Sequence, residues 1–309
     1  MAIKDKEIKK IIDTGINDLF EEIKKGKSDR LVNYLKFISN FCNYSYFNTF
    51  LIYFQNPKAT RVAGFNKWKS LGYMIKKGSK AMSIVAPQKY TYILGHNGRR
   101  IFYRNMTKAQ RADKDNHISG LKFTPVAVFD ISQCTGRDKD KENYFFQLGD
   151  SHKDKYYNLK KVIENDGITV EEKDTGITEG SSLGGKILIK DSNNFNNKLL
   201  TLIHEYGHEI LHQGSENKEL ARGKKECQAE AVSFIVGRYF GIDNPFSGDY
   251  ILQWGGTRDK LKENIEKVLE ASNIIINNIE KENWKAKDNA HVRAAVKKDK
   301  VYSSVGFDR

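Results

Sequence analysis

TLIHEYGHEILH, residues 201–212, sets His204 and His208 four apart, with Glu205 beside the first and apolar Leu202, Ile203, Ile210 and Leu211 around them. On a helix, residues four apart stand one turn above each other on one face. Two imidazoles so placed can hold one zinc ion at about 2.0–2.1 Å each. A carboxylate next to the first can take a proton from a water polarised by the ion. The apolar neighbours make this a buried helix that presents its ligands into a cleft. A bare HExxH recurs by chance in unrelated proteins, where its histidines are ordinary core residues, so the zinc reading requires a third ligand.

His212 is eight residues beyond His204. At a rise of about 1.5 Å per residue the two lie roughly 12 Å apart, too far for one ion; a surface or supporting position suits His212 better. A third histidine at 214, the metzincin arrangement, is excluded by Gly214. The next helical segment, KKECQAEAVSF (224–234), carries Glu226 and Glu230, again four apart and on one face. The 18 residues from His208 to Glu226 leave room for a loop and an antiparallel return. One carboxylate can bind zinc while the other accepts the second N–H of a ligating histidine. The expected assignment is Glu226 as ligand and Glu230 as its support, with the reverse as the alternative.

Upstream, ITVEE (168–172) and KILIKD (186–191) read as strands. KILIKD suits a core strand or an edge strand lining the cleft, as in gluzincin-type peptidases. GSSLGGKI (180–187) matches the phosphate-loop pattern through Gly180, Gly185 and Lys186. Ile187 stands where Ser or Thr should meet magnesium, and a strand follows instead of a helix, so nucleotide binding is set aside. Downstream, residues 258–283 form a long amphipathic helix with Leu261, Ile265, Val268, Ile275 and Ile279 on one face, and the polar tail after Trp284 is expected to fray.

The first half has a different character. Residues 1–136 hold 24 Lys or Arg against 10 Asp or Glu, out of 52 and 39 in the 309-residue chain. From Arg30 to Ala112 there are fifteen basic residues, no acidic one and sixteen aromatics. Lysine and arginine neutralise phosphates, and exposed aromatic faces stack on unpaired bases, which favours single-stranded nucleic acid over duplex. Lys67, Lys69, Lys76, Lys77 and Lys80 cluster around Trp68 and Tyr73, while Arg99, Arg100 and Arg104 decorate a hairpin signalled by KYTYIL and RRIFYR about His96-Asn97-Gly98. The competing reading puts many of these aromatics in the core. Residues 3–25 and 31–42 have helical periodicity, the second pattern running on to Phe54 before Asn56-Pro57, and AMSIVAP (81–87) and FTPVAVFDIS (123–132) read as strands.

A domain boundary is expected near TGRDKDKEN (135–143), giving a basic 1–145 and a zinc-site domain 146–309. The fold class is α+β in two domains, a basic α+β N-terminal domain and a gluzincin-like C-terminal one of HExxH helix plus small sheet. Cys42, Cys134 and Cys227 are too scattered for a disulfide framework or a cysteine zinc site, which points to a reducing cytoplasm. The charged N-terminus is no secretory signal, and no apolar run suits a membrane span.

Two sets of residues carry a family resemblance. YSYFNTFLIYFQNPKATRVAGFNKWKSLGYMIKKGSKAMSIVAP (44–87) and FTPVAVFDISQCTG (123–136) resemble the N-terminal domain of ArdC-type antirestriction proteins and their LtrC-like relatives. HEYGH (204–208) followed by ECQAEAVSF (226–234) resembles the attached zincin-like metallopeptidase domain and, more distantly, the ImmA/IrrE peptidases. The resemblance covers most of residues 29–255. It implies a domain that binds single-stranded DNA, a gluzincin-like domain with one Zn2+ ion at His204, His208 and the Glu226/Glu230 pair with Glu205 as catalytic base, and residence on plasmids, conjugative elements or phage, where such proteins shield incoming DNA from restriction. Two alternatives stand beside that reading: an ImmA-like regulatory peptidase acting on a repressor or restriction component, and a DNA-binding protein whose zinc is only structural.

Overall fold

The computed structural model describes residues 5–42, 44–95, 98–136, 152–213, 220–242, 244 and 256–303; the side chains of 5–7, 9 and 283–303 are not among them. Two compact units result, Met1–Gly15 with Phe47–Arg137 and Ile16–Tyr46 with Asp138–Arg309. The stretch from 137 to 151, where the sequence places a boundary, lies outside the described residues, as do His96 and Asn97 of the hairpin turn. Helix α1 (Asp5–Lys24) buries Ile8, Ile12, Ile16, Leu19 and Ile23 on one stripe. The pattern read from 31 to 54 as one helix is two, α2 (Asp29–Ile38) and α3 (Tyr46–Gln55). Side chains end the first: Ser39 Oγ donates to the Lys36 carbonyl, and Cys42 Sγ to those of Ile38 and Ser39.

In the first unit, an antiparallel sheet runs in the order β1 (Val62–Ala63), β5 (Ile118–Asp130), β3 (Met82–Leu94), β4 (Arg100–Phe102). AMSIVAP and KYTYIL are thus parts of one thirteen-residue strand, β3. Its Ser83 and Val85 meet side chains where a strand would otherwise pair. Gln55 accepts from the Ser83 N–H and donates to its carbonyl, and Asn48 does the same for Val85. Those two amides are seven apart on α3, two turns along one face. Gly15 lets the helices close, since a Cβ there would come 2.4 Å from the Phe54 ring. A second pair, β2 (Tyr73–Ile75) with β6 (Cys134–Gly136), and α4 (Phe65–Ser70) enclose a small core of Trp68, Tyr73 and Cys134. Asp130 ties this end together: its buried carboxylate accepts from the N–H groups of Thr60, Arg61 and Ser132. Short α5 (Lys108–Ala112) opens on a capping box of Thr107 and Gln110.

In the second unit, α6 (His152–Asn165) leads into a three-stranded sheet ordered β7 (Thr169–Lys173), β9 (Lys186–Lys190), β8 (Gly180–Ser182). β9 runs parallel to β7 and antiparallel to β8. KILIKD is therefore the central strand, paired on both sides, and β7 and β8 are the edges. Alternation explains it: Ile187 and Ile189 are fully buried beneath the helices, whereas the glycine-serine strand has little to bury. α7 (Phe195–His212) starts at Asn194, whose side chain accepts from the Asn197 N–H, and α8 (Arg222–Tyr239) packs along it. α9 (Arg258–Ser303) lies against α6, α7 and α8 with Leu261, Ile265, Val268, Ile275 and Ile279 buried. Its backbone continues well past Trp284, where fraying was expected; the segment contains neither proline nor glycine to stop it. Among the described residues no helix is long and apolar enough to cross a membrane.

Candidate metal centre

The close approach of α7 and α8 builds the centre. Gly207 faces Ala229 and Val232, and Cys227, Ala229 and Ala231 are fully buried, so small residues bring the helix axes near one another. Beside Gly207, the helices direct polar groups at a common point. His204 Nε2 and His208 Nε2 are 3.2 Å apart, and Glu226 Oε2 is 3.5 Å from each. Donors at about 2.0–2.1 Å from a tetrahedral ion are separated by about 3.3 Å. This triangle fits one ion with its fourth position open. Among the described residues it is the group of three whose donor atoms converge closely enough for an ion.

Glu230, a turn beyond Glu226, stands elsewhere. Its carboxylate takes the other ring nitrogen of His204, at 3.2 Å from Nδ1. Burial opposes a charge on His204, but its hydrogen bonds to Glu226 and Glu230 outweigh that and lift its pKa to about 9. At neutral pH the ring therefore carries both protons, one aimed at the point where the three donors meet. His208 is pushed down to about 4 by burial and by charged His204, so it is neutral. Glu226 is held down to about 2 by its hydrogen bond to His204.

Glu205 is 8% exposed, and burial raises its pKa to about 6. The backbone of Ser182, on edge strand β8, works against that rise. β8 comes this close because Gly180 has no side chain; a Cβ would meet Thr201 at 2.6 Å and Glu205 Cγ at 3.2 Å. A carboxyl of this kind changes protonation near neutral pH, as proton transfer requires.

Several participants were not singled out in the sequence. Glu209 accepts from Ser182 Oγ and from the N–H groups of Gly184 and Gly185, gripping the β8–β9 turn. Both glycines have positive φ, at 75° and 86°, which aims their N–H groups inward. The GSSLGGKI segment that imitates a phosphate loop thus wraps a carboxylate of its own chain. His212 sits behind His208, Nδ1 to Nδ1 at 3.0 Å, and its Nε2 meets Gln228 Oε1 at 2.9 Å. Gln228 in turn donates to Asn264 of α9. No spacing rule pairs residues on three helices; only tertiary packing does.

Of the residues expected to touch nucleic acid, Lys67, Lys69, Lys76, Lys77, Lys80, Arg99, Arg100 and Arg104 are exposed. Trp68 and Tyr73 are not. At 1% and 2% exposure they pack edge to face, with Trp68 Nε1–H donating to the Phe129 carbonyl, and neither can stack on a base. A group of aromatics with accessible surface, half-buried Tyr90 and Tyr92 and exposed Phe102, lies on the β5–β3–β4 ribbon. Tyr90, Tyr92 and Phe102 form one cluster with centroids 5.7–6.4 Å apart, and the Arg100 guanidinium lies 5.0 Å over Tyr92. Gly120, opposite Tyr90, leaves the space in which that ring lies across the strand; a Cβ would come within 2.4 Å of it. Cross-strand pairing places Lys122 on the same face, while Phe123, 67% exposed, projects from the other.

An uncharacterised Bacillus anthracis protein, pXO2-81, is 26% identical over 89% of this chain, which spans only 51% of that relative's length. Two crystal structures of the antirestriction protein ArdC from plasmid R388 are also similar. The metal-free form has a TM-score of 0.49 at 14% identity, covering 90% of this chain and 98% of that one; the Mn(II)-bound form has 0.48 at 15%, covering 89% and 97%. The family described as the N-terminal domain of anti-restriction factor ArdC matches residues 5–145. Over that span the chain is similar to the N-terminal domain of ArdC-type antirestriction proteins.

Proposed function

We propose that this chain protects DNA from restriction, binding single-stranded DNA on the basic ribbon of its first unit and carrying a zinc peptidase-like centre in its second. One observation carries the catalytic part above the others: three donor atoms face one point, with Glu205 beside it. Two imidazoles and one carboxylate form a zinc-peptidase ligand set, and three protein donors leave the open position that a structural zinc lacks. His204, His208 and Glu226 would hold the ion, and Glu230 would fix the ring of His204. Zinc bound there would supply Lewis acidity toward a carbonyl and a water. Glu205 would serve as the base and acid beside the ion, accepting a proton from water and returning it to the departing amine, a role suited to its raised pKa.

The DNA part is supported by the ArdC N-terminal domain, by the acid-free stretch, and by the Tyr90–Tyr92–Phe102 face with its arginine. A protein substrate and residence in the cytoplasm remain expectations of the family resemblance.

The test titrates labelled single-stranded and duplex oligonucleotides with the full chain over a salt series, alongside zinc titration of wild type, Glu226→Ala and Glu230→Ala. Salt-steep preference for single strands, and abolition of zinc binding by Glu226→Ala with a weaker effect of Glu230→Ala, are expected. Equal binding to both DNA forms sinks the first part, and wild-type protein that takes up no zinc sinks the second.

A further inference from the structure

His212, Gln228 and Asn264 belong to α7, α8 and α9, and they form a chain of hydrogen bonds that ends on His208. From the orientation of the Gln228 and Asn264 amides, the direction of every other bond follows. Gln228 Nε2 donates to Asn264 Oδ1 at 2.9 Å, so Gln228 turns its oxygen to His212. An amide oxygen only accepts, and the proton of His212 must therefore be on Nε2. Its Nδ1 is left with a lone pair, 3.0 Å from His208 Nδ1. That nitrogen of His208 must then carry the hydrogen, which leaves the lone pair on Nε2. Nε2 is the atom facing His204 and Glu226.

Turning both amides over would reverse each bond. Gln228 would donate to His212, His212 to His208 Nδ1, and His208 would hold its hydrogen on Nε2, where a cation needs a lone pair. The amide of Asn264 on the C-terminal helix thus sets the state of a ring that it does not touch.

We infer that His212, Gln228 and Asn264 are positioning residues that hold His208 in its metal-ligating tautomer. The inference rests on the metal reading of the centre. It gives His212 a task other than binding the ion and gives α9 a part in the site beyond packing. His212 is needed only as an acceptor at its δ position, which the Oδ1 of an asparagine reproduces and a leucine does not.

The experiment is competition for Zn2+ between a chromogenic chelator and wild-type protein, His212→Leu, His212→Asn and Gln228→Glu. His212→Leu is expected to weaken zinc binding about 10- to 100-fold, the usual effect of losing the partner of a ligating histidine. His212→Asn and Gln228→Glu, which keep the acceptors, should remain within about threefold of wild type. Wild-type affinity in His212→Leu overturns the inference, and so does an equal loss in His212→Leu and His212→Asn. A second measurement needs no variant. Long-range 15N–1H spectra of histidine-labelled, metal-free protein should show the proton of His212 on Nε2 and that of His208 on Nδ1; the opposite pair of tautomers overturns it. Protein that binds no zinc but shows the expected tautomers defeats the metal reading alone.

Discussion

Glu205 and Glu209 are one turn apart on α7 and equally buried, at 8% and 7% exposure, yet their surroundings differ in kind. Glu209 has three donors from one tight turn and nothing further to do. Burial pushes the pKa of Glu205 up to about 6, with the His204 imidazole and the Glu226 carboxylate acting on it. A buried carboxylate surrounded by N–H groups holds a fold together; one facing other titratable groups is poised for a proton or a cation. The aromatics of the other unit repeat the contrast. Trp68 and Tyr73 are enclosed in a core, where Trp68 donates to a backbone carbonyl, whereas half-buried Tyr90 and Tyr92 and exposed Phe102 form a surface cluster with Arg100 over it.

The sharpest way to break the comparison is to exchange the expected outcomes. Trp68→Ala should cost about 3–5 kcal/mol of stability in urea unfolding, the usual range for a buried tryptophan, with any loss of DNA binding following the loss of fold. Glu209→Ala should cost about 3 kcal/mol, since it leaves two backbone donors and a hydroxyl without their acceptor. Glu205→Gln should shift the same midpoint by less than about 1 kcal/mol; a larger shift would make Glu205 a fold residue like its neighbour. Tyr92→Ala should leave stability nearly unchanged and weaken single-stranded DNA binding by about 1–3 kcal/mol in an anisotropy titration. Unaltered affinity would move the interface off this face.

Acidity offers the mildest probe. His204 is lifted to about 9, so between neutrality and that pH an incoming ion must displace one proton, while His208, down at about 4, has none to lose. Zinc affinity should therefore fall about tenfold for each unit that the pH drops below 9 and level off above it. Calorimetry in buffers of different ionisation enthalpy should count about one proton released per ion at pH 7.5. Release of none would show that the ligands are not those assigned.

Much of this arrangement is written locally. Four-residue spacing places His204 over His208 and Glu226 over Glu230, and alternation separates the buried and exposed sides of β9 and β3. What spacing does not contain is company. The sequence has Trp68 and Tyr73 among lysines, which suggests a binding surface; only the pairing of β2 with β6 shows them sealed inside. Likewise His212 fails as a ligand by distance along its helix, and its actual role depends on Gln228 and Asn264, which meet it only once three helices have packed. KILIKD alternates as well as any edge strand, and it is central because two other strands find its sides.

The amides of Asn48 and Gln55 have a consequence beyond the unit they hold. An open strand edge is a template on which a second molecule can add its own strand, and a thirteen-residue strand rich in β-branched and aromatic residues is a strong one. By occupying the Ser83 and Val85 hydrogen-bonding groups, α3 makes the core end of β3 unreadable to other chains. Two ordinary polar side chains thereby guard a highly basic domain against strand-to-strand self-association.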